Sequence, residues 1–121
     1  MGVSLYDKEG TQRRLEAMYV LTTAEGVEAL LDHWDKFTLM PYDRGDYGVV
    51  DLIVDTEHAI REANLTAKQR TVVELHLMQG YTQVEVGRHL GVGQDAVSKL
   101  VKRGTQRIAD VFTKWDKMGE Y

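Results

Sequence analysis

Two glycines in register, Gly87 and Gly91, constrain this chain more than any other feature of it. They lie within LTAKQRTVVELHLMQGYTQVEVGRHLGVGQDAVSKLVKRGTQRI, residues 65–108. Thr66 opens an amphipathic helix in this segment, and Gly80 interrupts the pattern. A short helix is expected over Thr82–Leu90, then a tight turn at Gly91-Val92-Gly93, then a third helix from near Gln94. Glycine inside a helix costs about 1 kcal/mol relative to alanine, so Gly87 needs a packing reason. Two short helices crossing steeply supply one: Gly87 is the small residue at their contact and Gly91 makes the bend. Val84, Val86, Leu90, Val92, Val97 and Leu100 are the apolar residues expected to fill the crossing. The pattern is that of a helix-turn-helix, whose second helix enters the major groove of DNA.

That reading assigns roles to the polar residues. Thr82 is the expected N-cap of the first motif helix, with Glu85 completing a capping box. Residues at the start and along the exposed face of the second helix meet base edges: Gln94, Asp95, Ser98, Lys99 and Lys102. Gln94 suits adenine in a bidentate pair and Lys99 suits guanine. Asp95 either accepts from a cytosine amine or helps to cap its own helix. Phosphate contacts are expected from Gln83, Arg88, Lys102, Arg103 and Arg107. Gly87, Gly91 and Val97 are structural.

The same residues resemble a known family. LTAKQR (Leu65–Arg70), LHLMQGYTQVEVG (Leu75–Gly87) and LGVGQDAVSKLVKR (Leu90–Arg103) are similar to region 4 of bacterial sigma-70-type factors, over Asp55 to about Phe112. In that family the module binds the upstream promoter element and contacts RNA polymerase. The resemblance therefore implies a sequence-specific, DNA-binding transcription regulator with RNA polymerase as a partner. Gly93 stands where the family's recognition helix often opens on serine, which weakens that cap. The residues upstream do not resemble a sigma core-binding and promoter-melting region. The likeness is thus to a small regulator of the kind found in phages and mobile elements, not to a complete sigma factor. Two other function classes stay open: a DNA-packaging protein of the phage small-terminase type, and a protein that binds RNA polymerase without reading DNA.

Charge is distributed unevenly. The 121 residues carry a net charge of −4, but residues 1–63 hold 6 basic and 13 acidic side chains while residues 64–114 hold 8 basic and 4 acidic. The motif is therefore the positive part, and the charge of the binding face matters more than the overall balance. There is no cysteine, so neither a disulfide framework nor a thiolate metal site is possible. No apolar run approaches the roughly 18 residues of a membrane helix, and the N-terminus has no signal-peptide pattern. A cytoplasmic protein without membrane attachment is expected.

Along the rest of the chain the periodicity is helical. Residues 1–10 read as a leader. Leu15, Met18, Tyr19 and Thr22 share one face, and Thr23 opens a stretch with Val27, Leu30, Leu31, Trp34 and Phe37 at helical spacing. Gly26 leaves open whether Thr11–Phe37 is one kinked helix or two. Met40-Pro41 ends it, residues 41–48 read as a loop, and a helix is expected from about Val49 to Ala63 with Leu52, Ile53, Ala59 and Ile60 inward. Asn64 closes it. Beyond the motif, Ile108, Val111, Phe112 and Trp115 continue an apolar stripe that Gly104 interrupts as a possible kink. That stripe, with Val97 and Val101, is longer than the motif needs. It points to a homodimer through the N-terminal helices or the Ile108–Trp115 end, or both; the alternative is that Phe112 and Trp115 fold back onto the N-terminal helices of the same chain.

The expected fold is all-α, with five to six helices and a C-terminal sigma-4-like helix-turn-helix. Residues 1–48 form an acidic helical module, and residues 49–121 the motif with its C-terminal extension. His33, His58, His76 and His89 lack the spacing of a metal signature, and His76 reads as a partly buried core residue. Asp43, Asp46 and Asp51 do not match a calcium loop. Trp34, Phe37, Tyr42 and Tyr47 are expected to pack beneath the N-terminal helices. No nucleophile has a base partner nearby and no phosphate-cradling loop is present, so neither catalysis nor a cofactor is expected.

Overall fold

A threonine opens the first helix among the described residues, as its position before an apolar run dictates. The computed structural model describes residues 20–38 and 47–118; the expectations for residues 1–19 and 39–46 lie outside them, as do those for the side chains of Phe37 and Tyr47. Helix α1 is Ala24–Asp32, and its N-cap Thr23 accepts a hydrogen bond from the Gly26 N–H. Thr22 falls in the turn before it. Gly26 is there for close approach: a Cβ would overlap the backbone carbonyl of Val20. Helix α2, Trp34–Thr38, follows after the single residue His33.

Helix α3 is Tyr47–Glu62, two residues longer at its start than the loop-like composition of residues 41–48 suggested. Asn64 ends it in the left-handed region at φ 53, a conformation asparagine tolerates better than most residues. Leu52, Ile53, Ala59 and Ile60 are all buried. Helix α4 is Ala67–Val72, continuing as a π-helical stretch, Val73–Met78. Its start is closed by a capping box between Thr66 and Gln69, each side chain bonding the other's backbone N–H at 3.1 Å. In the π-helical stretch the Gln79 N–H reaches back to the Glu74 carbonyl at 3.0 Å. Val73 and Leu77 of this stretch both lie in the interior.

Helices α5, Gln83–Leu90, and α6, Gln94–Met118, complete an all-α fold of six helices among the described residues. Helix α6 is continuous over 25 residues. Gly104 does not break it. It lies at a helix contact instead, where a Cβ would stand 3.0 Å from Val73 Cγ2. Helix α1 packs against α6 and the π-helical stretch, while α3, α4 and α5 also pack on α6. One core results, running from Leu21, Leu30 and Leu31 through Val72 and Val73 to Val97, Ile108 and Phe112. Ile108 and Phe112 are fully buried in it. Most of the stripe expected to serve association is therefore covered by the chain's own helices. The buried hydroxyls of Thr56 and Thr105 donate to the Leu52 and Val101 carbonyls one turn back.

Candidate nucleic-acid interface

The helix-turn-helix is assembled from two caps and a glycine contact. Thr82 caps α5: its hydroxyl accepts from the Glu85 N–H at 3.1 Å, and the Glu85 carboxylate accepts from the Thr82 N–H at 2.9 Å. The Thr82 backbone and hydroxyl, together with the Arg88 charge nearby, hold the Glu85 carboxyl below its usual range. Gly91 ends α5 at φ 72, where any residue with a Cβ is strained. The next N–H, of Val92, closes onto the Gly87 carbonyl at 2.9 Å. Gly87 is buried at the crossing, and a Cβ there would stand 2.7 Å from the Val92 carbonyl oxygen and 3.5 Å from Val97 Cγ2. Helix α6 starts with the Val97 N–H bonding the Gly93 carbonyl at 3.1 Å.

Val86 and Val97 are buried at the crossing, and Leu90, Val92 and Leu100 pack against the core from partly buried positions. Val84 departs from expectation: it is 45% exposed. Residues two apart on a helix point to opposite sides, so Val84 and Val86 cannot both face the same interior. Val86 shares a face with Leu90 and takes it.

The residues expected to read bases come together in two rows, the second ending on the expected phosphate contact Arg103. Gln94, Ser98 and Lys102 follow one another at four-residue spacing, and Asp95, Lys99 and Arg103 run beside them. All are exposed except Ser98, which is half-buried. Asp95 is the acidic residue in the first turn of α6, the end at which a helix dipole favours negative charge. Arg88 is exposed in the last turn of α5, and Gln83 is half-buried in its first. Arg107 is turned away from these rows toward α3. Its Nε donates to the Ala63 carbonyl at 3.2 Å, tying the end of α3 to α6. His76 bonds the Tyr81 carbonyl through Nδ1 at 2.6 Å and so holds the approach to α5. Sequence reasoning gave no role to Gln69, Arg107 as a strut, or this histidine contact. The T-x-x-Q pattern at Thr66–Gln69 was the readable signal for the first; the other two join residues whose proximity only the fold creates.

Among the described residues no three histidine, aspartate or glutamate side chains gather as a metal-holding group, and no helix is long and apolar enough to cross a membrane. Residues 63–110 match the family described as Sigma-70, region 4. The match contains α5, helix α6 as far as Asp110, both caps and the two rows of α6. No curated protein and no solved structure matches the chain.

Proposed function

We propose that this chain, whose residues 63–110 form a sigma-70 region 4-like helix-turn-helix, is a sequence-specific DNA-binding transcription regulator acting in the cytoplasm of a bacterial or phage-infected cell. The observation that carries the reading is the pair of exposed rows on α6, held outward by Gly87 and Val97 beneath them. In this reading the N-terminal half of α6 lies in the major groove. Gln94, Asp95, Ser98, Lys99 and Lys102 meet base edges, while Gln83, Arg88 and Arg103 meet phosphates. Arg107 contributes less to phosphate binding because its Nε already holds Ala63. One helix-turn-helix reads only a few base pairs, so the regulator works as a two-fold homodimer on paired half-sites.

The experiment is a salt titration of duplex binding combined with single substitutions. Neutralising about five phosphates gives a log–log slope of about −4 to −5 with salt. On a site selected from random duplexes, Gln94→Ala is expected to cost about 1–3 kcal/mol and relax preference at one base pair, whereas Arg88→Ala weakens all sequences alike. A flat salt response on every duplex sinks the reading.

A second reading rests on exposed apolar residues. Tyr81 and Val84 are 48% and 45% exposed. Beside Tyr81 lies a groove of about 370 Å³ lined by Leu75, Tyr81, Glu85, Val86 and His89. A protein partner such as RNA polymerase, with or without DNA, suits that surface. Pull-down of polymerase by the wild type and by Tyr81→Ser/Val84→Ser decides whether this exposed apolar surface takes part.

A further inference from the structure

The end of α6 remote from the reading face carries a second unburied feature. Two contacts fix how α3 and α6 run: Ala63 meets Arg107, and His58 meets Trp115 with ring centroids 5.0 Å apart. The earlier residue of α3 faces the later residue of α6, so the helices are antiparallel. One turn further along each, Val54 and Met118 reach the same end. They are 54% and 55% exposed. Val111 and Trp115 lie on the same side of α6, only partly buried, at the four- and three-residue spacing of a helix-packing seam. Beside this strip is a cleft of about 280 Å³ whose charged lining is Glu62, Arg107, Asp110 and Lys114. Both signs of charge thus flank one apolar strip.

We infer that the seam of Val54, Val111, Trp115 and Met118 is the contact through which two copies of this chain pair. A two-fold interface must be self-complementary, because the same patch meets itself. This rim meets that condition. A two-fold axis along the groove lays the α3 side of one copy, with Glu62, over the α6 side of the other, with Lys114. Continuous α6 then links pairing at its C-terminal end to base reading at its N-terminal end, so the spacing of the two reading heads is set by a rigid element. The inference takes its purpose from the DNA-binding reading, but its contact does not depend on it.

Sedimentation of the full chain without DNA, at tens of micromolar, tests it. The wild type is expected at twice the monomer mass, and Val54→Glu/Met118→Glu, at two exposed positions, at the monomer mass with unchanged helicity. Lys114→Glu is expected to weaken the dimer at least tenfold, and Lys114→Glu/Glu62→Lys to restore it. Should the first variant lose helicity, the second decides alone. A monomeric wild type overturns the inference, and so does a dimer that Lys114→Glu or the folded double variant leaves intact. A wild-type monomer that binds DNA removes the interface and leaves the DNA reading standing.

Discussion

Gly87 and Gly91 do different jobs, and the chain shows why each had to be glycine. At Gly91 the requirement is conformational, a left-handed φ of 72 with open space around it. At Gly87 it is spatial, a backbone carbonyl 2.7 Å from where a Cβ would sit. Both were legible because a glycine weakens a helix unless a turn or a close approach requires it. Val84 differs from expectation because valine suits either face of the motif helix, while the helix sends positions 84 and 86 to opposite sides. Glu85 carries a pH-dependent consequence. Its depressed folded pKa, caused first by the Thr82 N–H and then by the Thr82 hydroxyl, means that the ionised cap stabilises the fold above the ordinary glutamate range. That contribution is lost as pH falls through the depressed value. Glu85→Gln keeps an acceptor but no charge. The melting temperature of the wild type is expected to exceed that of the variant at neutral pH, and the two are expected to converge in acid. Parallel curves down to the lowest pH at which both fold would show that the carboxylate charge contributes nothing.

Between elements, the informative contact is α6 against the helix formed by α4 and its π-helical stretch. The sequence pattern showed a glycine breaking a stripe at position 104, where a kink was one reading. The helix runs unbroken through it, and Gly104 admits Val73, whose Cγ2 lies 3.0 Å from the missing Cβ. No periodicity argument on α6 alone reveals this, since the reason resides on another helix. The π-helical stretch was hidden for a related cause: nothing in the spacing of its apolar residues Val73, Leu75, Leu77 and Met78 distinguishes a wider turn from an α-helical one. A double-mutant cycle measures the contact. Gly104→Ala gains up to about 1 kcal/mol of helix propensity and loses room against Val73. Shortening the neighbour with Val73→Ala removes the overlap. We expect Gly104→Ala to be more favourable in the Val73→Ala background than in the wild type by about 0.5–3 kcal/mol, the range found for residues in contact. Additive effects in urea melts would mean that the two side chains do not compete for space.

At the scale of the whole molecule, charge and packing divide the chain differently. Charge separates acidic residues 1–63 from a basic motif, and the loop-like residues 41–48 suggested a boundary after residue 48. Packing runs across that line: Val27, Leu30, Leu31 and Trp34 of the acidic half share one cluster with Val97, Ile108 and Phe112 of α6. Charge lies on the surface and is readable residue by residue, whereas the partner of an apolar face is not written in that face. The stripe at Ile108–Trp115 illustrates the point, since its length was plain and its covering was not. Phe112 is buried and lies beyond the matched residues 63–110, so the motif here leans on parts outside it. Leu30 is the direct probe of that dependence. It is fully buried in α1, the helix that packs on α6 and the π-helical stretch. Leu30→Ala is expected to cost about 2–5 kcal/mol and to lower one melting transition. The two tryptophans, Trp34 in the acidic half and Trp115 on α6, give separate views of it when each is replaced by phenylalanine in turn. Both reporters and DNA binding should then be lost at the same temperature. If the Trp34 signal melts first while Trp115 and DNA binding keep their wild-type midpoint, the acidic half folds as its own unit and the motif does not depend on it.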